Sequence, residues 1–146
     1  MLYLVRHGEA VTDREDTRRP LSAEGRRQME SIAGKLRDIG AAPKRILHSG
    51  KLRAQQTAEI LADALGQPGA IELRGIAGLL PDDDPKSAAE LAAATGDEDL
   101  MLVGHLPHLG LLAGVLTRLS ITFHTANVVC LQRGDPAWRV VWIKRP

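Results

Sequence analysis

Two apolar quartets that each run into a histidine constrain this chain more than any other feature. Leu2-Tyr3-Leu4-Val5 precedes Arg6-His7, and Leu100-Met101-Leu102-Val103 precedes Gly104-His105. A quartet that is mostly apolar at successive positions lacks the polar face of a half-solvated strand, so it reads as a strand covered on both sides. A histidine just past such a strand stands on the rim of the sheet. The residues that follow the two quartets do not match, so they are not a domain repeat but two strands ending on one rim.

The intervening sequence supplies helices to cover such strands. Ser22 is a good N-cap with Glu24 in the first turn, and Met29, Ile32, Ala33, Leu36 and Ile39 form an apolar stripe that Gly40 terminates. Arg45 to His48 reads as a short strand. Ala54, Ala58, Leu61, Ala62 and Leu65 then recur at helical spacing up to Gly66. The stretch from Gln67 to Pro85 reads as irregular, and an alanine-rich helix is expected over residues 86–95. After His105, Pro107 is placed at the first helical position, with Leu109, Leu112, Ala113 and Leu116 facing inward. Phe123 to Gln132 and Trp138 to Ile143 read as strands joined by a hairpin turn at RGDPA. Strand–helix alternation followed by a hairpin predicts an α/β sandwich with a mostly parallel sheet.

Bulk properties narrow the function classes. The 146 residues suit a single domain, 1–146, and the 44% hydrophobic and 25% charged content is that of an ordinary globular protein. A formal charge of +1 and 3% aromatic residues leave neither a basic field nor stacking platforms, so no nucleic acid or membrane partner is expected. Cys130 is the only cysteine, which rules out an intrachain disulfide and a cysteine zinc site and suits a reducing compartment. The N-terminal apolar stretch ends at Arg6, too short for a signal-peptide core, and the run around Leu109 to Leu119 is broken by Gly110, Gly114, Thr117 and Arg118. A soluble cytoplasmic monomer is the expectation.

In open α/β sheets ligands bind beyond the carboxyl ends of the strands. His7 and His105 should therefore reach one edge, with Arg6 beside the first. Arg53 lies just inside the helix after Ser49-Gly50, where free backbone N–H groups favour an anion. Two guanidinium groups and a helix N-terminus converging on one point match a phosphate in shape and charge. Each residue also has a plainer reading: a strand-end histidine as a hydrogen-bonded surface group, Arg53 as a solvated helix residue. His48 and His124 read as ordinary edge histidines and His108 as a first-turn surface residue on the pocket rim. No H-x-x-x-H spacing favours a metal, and the isolated glycines make neither a P-loop nor a dinucleotide fingerprint.

The combination of RHGEA at 6–10, LSAEG at 21–25, SGKLRAQQTA at 49–58 and GHLPHLG at 104–110, with RPLS at 19–22, resembles the histidine phosphatase superfamily, and within it the short SixA-type phosphohistidine phosphatases. The resemblance implies a three-layer sandwich of phosphoglycerate mutase type with a mostly parallel central sheet and a C-terminal hairpin. It implies that His7 is the nucleophile, that Arg6 and Arg53 hold the phosphoryl oxygens, and that His105 is the second pocket histidine stabilising the transferring group. No metal or cofactor is implied. The substrate it implies is phosphohistidine on a signalling or phosphocarrier protein. The rival readings are a phosphomonoesterase acting on sugar or nucleotide phosphates and a non-catalytic phosphate-binding module.

Three departures stand out. RHGEA replaces the RHGES or RHGET of many longer members. Gly50 stands where the short branch often has proline. The glutamate that longer members place before the last parallel strand is missing from LRGIAGLLPDDDP. Asp82, Asp83 and Asp84 are the available acids there, although an acidic run before a helix reads first as an N-cap cluster.

Overall fold

The computed structural model describes residues 1–67 and 69–146. The elements run β1 (Leu2–Arg6), α1 (Ala23–Asp38), β2 (Arg45–His48), α2 (Leu52–Leu65), β3 (Glu72–Gly75), α3 (Pro85–Ala94), β4 (Leu100–Gly104), α4 (His108–Thr117), β5 (Val128–Gln132) and β6 (Arg139–Lys144). The six strands form one sheet in the order β3-β2-β4-β1-β5-β6. β1, β2, β3 and β4 pair in parallel, while β5 runs antiparallel to β1 and β6 antiparallel to β5. Among the described residues, no helix is long and apolar enough to cross a membrane.

The apolar quartets are central strands, and their period of two divides the core. Tyr3, Val5, Met101 and Val103 join Met29, Ile32, Leu36, Ala54, Ala58 and Leu61 of α1 and α2 on one face. Leu2, Leu4, Leu100 and Leu102 join Ala88, Ala92, Leu109, Leu112 and Leu116 of α3 and α4 on the other. Both faces of β1 and β4 are covered, which is why neither strand carries a polar alternation. The result is the expected α/β/α sandwich.

Several boundaries differ from expectation. β3 lies inside the stretch read as irregular: it is an edge strand whose four residues are all exposed, so it has no apolar signature. Ile39 is not part of the α1 stripe. The helix ends at Asp38, Gly40 turns the chain at φ +72°, and Ile39 is left 46% exposed. α3 begins one residue earlier than expected, with Pro85 in its first turn, and α4 begins at His108, with Pro107 as its N-cap. β5 starts only at Val128, so residues 123–127 are loop, and β6 is shifted one residue beyond the expected range.

Glycines at the ends of two motifs are imposed by packing. A Cβ on Gly8 would come within 2.7 Å of the Gly25 carbonyl oxygen, and one on Gly25 within 1.9 Å of the Glu9 carbonyl oxygen. The loop after β1 therefore presses directly on the first turn of α1. Ser22 locks the contact: its hydroxyl accepts from the Gly25 N–H at 3.0 Å and donates to the Glu9 carboxylate at 2.9 Å.

Candidate active site

β1 and β4 are neighbours in parallel register, with Arg6 opposite Gly104. His7 and His105 therefore leave the sheet at the same level. The His7 N–H still donates to the Gly104 carbonyl at 3.2 Å, and the two rings lie with centroids 5.0 Å apart.

The His7 ring has a defined tautomer. Its Nδ1 is 2.6 Å from the Gly8 carbonyl oxygen, which can only accept, so Nδ1 carries the proton and Nε2 keeps its lone pair. That lone pair faces Arg53, whose Nε–H lies 3.4 Å from Nε2. Burial pushes the His7 pKa down to about 4. The Gly8 carbonyl works against the shift, while the Arg53, Arg6 and Arg19 charges add to it. His7 is thus a neutral imidazole with its free nitrogen directed at a guanidinium.

Arg53 sits in the first turn of α2, whose N-cap residue, Lys51, makes no side-chain cap bond. Thr57 ties this turn to the loop after β1: its hydroxyl donates to the Arg53 carbonyl at 2.8 Å and accepts from the Gly8 N–H at 3.2 Å. Arg6 is braced from the other side. Its Nη1 donates to the Phe123 carbonyl at 2.9 Å, and its buried Nε has no partner among the described residues. The segment expected to extend β5 thus serves as a brace, with the Ala126 N–H also donating to the His7 carbonyl at 3.1 Å.

His105 is buried, with Nε2 2.6 Å from the Ser49 hydroxyl. The Lys51 N–H donates to that hydroxyl at 3.3 Å, so the loop between β2 and α2 is joined to the second histidine. Burial first, then the nearby His7, Arg53, Lys51 and His108, hold the His105 pKa down to about 3.

The structure brings Arg6, His7, Arg53 and His105 to one point, as the sequence predicts, and adds Arg19. An antiparallel bridge between Ala10 and Leu21 folds the 11–20 loop back. Arg19, at φ +48°, donates from Nε to the Val11 carbonyl at 3.1 Å. Its charge lowers the pKa of both His7 and Arg53, which places a third guanidinium in the field of the pocket. The only sequence sign of it was the RPLS segment.

Three readings of other histidines need correction. His108 is not a surface residue: it is fully buried, and neither ring nitrogen has a hydrogen bond among the described residues. The segment before α3 reaches this region, since the charges of Asp83 and Asp84 oppose the lowering of its pKa by burial. His48 is not an edge residue, because β3 pairs outside β2; it is buried on the same rim. His124 is not an edge-strand residue either: it is exposed in the loop before β5.

The acidic run behaves as a cap cluster. Asp84 is the N-cap of α3 and accepts from the Lys86 N–H at 2.8 Å, while Asp83 accepts from the Leu80 N–H at 2.8 Å. Among the described residues, no group of three or more His, Cys, Asp or Glu side chains is placed to hold a metal ion. The constellation can do two things chemically. Its guanidinium groups and helix N-terminus can hold a dianion, and a neutral imidazole nitrogen can reach it.

Comparison with known proteins identifies the family and the fold. Residues 2–76 match the family model of the histidine phosphatase superfamily (branch 1). The phosphohistidine phosphatase SixA of Escherichia coli is 33% identical over 123 residues, which cover 79% of this chain and 73% of that protein. A probable phosphoglycerate mutase, GpmB of Yersinia enterocolitica, is 34% identical over 100 residues, 46% of its length. Among solved structures, the protein histidine phosphatase SixA complexed with tungstate superposes with a TM-score of 0.87 at 26% identity, covering 99% of this chain and 96% of that one. A putative phosphohistidine phosphatase SixA from Agrobacterium tumefaciens gives 0.83 at 26% identity, covering 99% and 97%. By sequence and by structure the chain belongs to the histidine phosphatase superfamily, in its short SixA-type branch.

Proposed function

We propose that this phosphatase hydrolyses phosphohistidine on a phosphotransfer or phosphocarrier protein through a phosphorylated His7. His7 Nε2 attacks phosphorus, and the N–P bond of the substrate breaks in line with it. The departing imidazole leaves neutral because solvent has protonated its far nitrogen. Water then attacks phospho-His7, releasing inorganic phosphate and restoring the imidazole. Arg6 and Arg53 hold the equatorial oxygens, whose charge must be stabilised in phosphoryl transfer, and His105 supports them as a second pocket group. Arg19 adds to the same field.

The observation that carries the choice of substrate is the disposition of the acids. Asp83 and Asp84 each accept a backbone N–H and Asp82 is exposed, so the run is laid out as a cap cluster. None of the three is hydrogen-bonded to a pocket side chain among the described residues, as an acid aimed at a leaving alkoxide would be. A phosphomonoester needs such a donor, because an alkoxide is about as basic as hydroxide, whose conjugate acid has a pKa of about 15.7. A phosphoimidazole does not, because its second nitrogen titrates near pH 6–7, about the range of a free histidine. The likeness to SixA proteins supports the same choice.

The test compares kcat/KM on a phosphohistidine-bearing phosphotransfer domain with that on sugar phosphates and nucleotides. Preference for the protein is expected. A preference for small phosphomonoesters by about tenfold or more, about 1.4 kcal/mol, would replace this reading with a small-molecule phosphatase. Absence of any turnover, including on a chromogenic aryl phosphate, would leave a phosphate-binding module.

A further inference from the structure

We infer that His48 is a positioning residue that fixes the anion-binding loop between β2 and α2, resting on the phosphatase reading above. His48 ends β2 on the same rim as His7 and His105, and its Nδ1 accepts from the Gly50 N–H at 3.1 Å. The ring therefore carries its proton on Nε2 and bonds the backbone two residues ahead. An asparagine side chain makes the same kind of bond in a turn.

The position of this bond gives it leverage. Gly50 has a φ of +87°, a conformation open to glycine and closed to proline, whose ring fixes φ near −65°. Glycine has more backbone freedom than any other residue, and this φ excludes the rigidity that proline could supply. The His48 bond replaces that rigidity. On one side of Gly50, Ser49 reaches His105 Nε2 at 2.6 Å; on the other, α2 starts and places Arg53 against His7. Freedom at Gly50 would therefore move both a pocket hydroxyl and a pocket guanidinium.

The ring is held in place for this bond. β2 lies between β3 and β4, with His48 opposite Gly75 on one side and Val103 on the other. A Cβ on Gly75 would stand 3.2 Å from His48 Cε1 and 3.6 Å from Gly50 Cα, so the absence of a side chain there leaves the ring its position. Burial lowers the pKa of His48 and favours the neutral ring that can accept, with Glu59 acting in the opposite sense.

Asparagine and valine have similar volumes and differ in offering an acceptor, so they separate positioning from packing. The readouts are kcat/KM on a chromogenic aryl phosphate and tungstate affinity by calorimetry, with thermal midpoints to confirm folding. H48V should lose about tenfold or more in both, since a misplacement near 1 Å can cost about a hundredfold. H48N should stay within about threefold of wild type, and because tungstate binding needs no substrate, it reads the loop even if the choice of substrate is wrong. Wild-type behaviour in H48V, or equal loss in folded H48N and H48V, would overturn the inference. If H48V does not fold, Gly75→Ala decides: tungstate affinity should fall in the wild-type background and hold in the H48N background. An equal fall in both would overturn the inference as well.

Discussion

Arg53 Nε stands 3.4 Å from His7 Nε2, with the His7 proton fixed on the opposite nitrogen by the Gly8 carbonyl. The guanidinium contact and the neutral imidazole require one another. A protonated His7 would point an N–H at a cation, and a neutral one offers the lone pair that a nucleophile needs. Burial, reinforced by Arg53, Arg6 and Arg19, thus keeps His7 neutral before any substrate binds.

The first expected outcome follows from that lone pair. His7→Ala should lose essentially all turnover, because no neighbouring group can replace the covalent step. Substrate labelled in its phosphoryl group, quenched without acid, should leave label on His7. Label on His105, with activity retained in His7→Ala, would exchange the two roles.

Charge in the pocket gives a second. Arg6→Ala and Arg53→Ala should each cost about 2–4 kcal/mol of transition-state stabilisation, by comparison with removal of single oxyanion donors. Lysine at either position should recover little, since a point charge cannot make the forked contact. Activity should be unchanged by EDTA. A metal requirement would defeat the mechanism.

The pH dependence comes third. With His7 held to about 4, the protein limb of kcat/KM should stay flat well below the usual histidine range and fall only near pH 4, once the ionisation of the substrate is corrected for. A limb at the ordinary value of about 6.5 would show that the pocket does not keep His7 neutral. Stability should move with the same groups. His7 and His105 bind protons less readily folded than unfolded, so stability is full above the unfolded value and declines as pH falls toward the folded values of about 4 and about 3. Urea midpoints across that range would reveal the slope, which His105→Asn should reduce.

A fourth outcome concerns the seam between the RHG loop and α1. Gly25→Ala would drive a methyl group to within 1.9 Å of the Glu9 carbonyl oxygen, and Gly8→Ala to within 2.7 Å of the Gly25 carbonyl oxygen. Both contacts are with backbone, which yields less easily than a side chain. Each should destabilise by about 1–3 kcal/mol or more, with Gly25→Ala the worse, as read from denaturant midpoints.

The parts of the fold that were legible in the sequence are those with an energetic signature in a short window. The apolar quartets declare β1 and β4 because burial on both faces removes every polar residue. Ser22 and Gly40 declare the limits of α1 because caps need particular side chains. β3 was invisible for the opposite reason: Glu-Leu-Arg-Gly is held by hydrogen bonds to β2, not by burial, and hydrogen bonding is common to every sequence. His108 was misread because the segment that covers it, before α3, meets it only in three dimensions. Arg19 was missed for a similar reason, since a bridge between Ala10 and Leu21 brings it back across the loop.

The His7 and His105 rings are 5.0 Å apart on strands that lie side by side. Adjacent strands are spaced about 4.8 Å by their hydrogen bonds, so the separation of the two pocket histidines is a dimension of the sheet itself. The backbone supplies that spacing, and the Gly8 carbonyl and the Ser49 hydroxyl orient the two rings within it. Loops at the rim that leave Gly8 and Ser49 in place can therefore lengthen, shorten or change charge over evolutionary time while the two histidines keep their spacing. One sheet edge of this kind can be refitted to new phosphorylated partners without the chemistry having to be rediscovered.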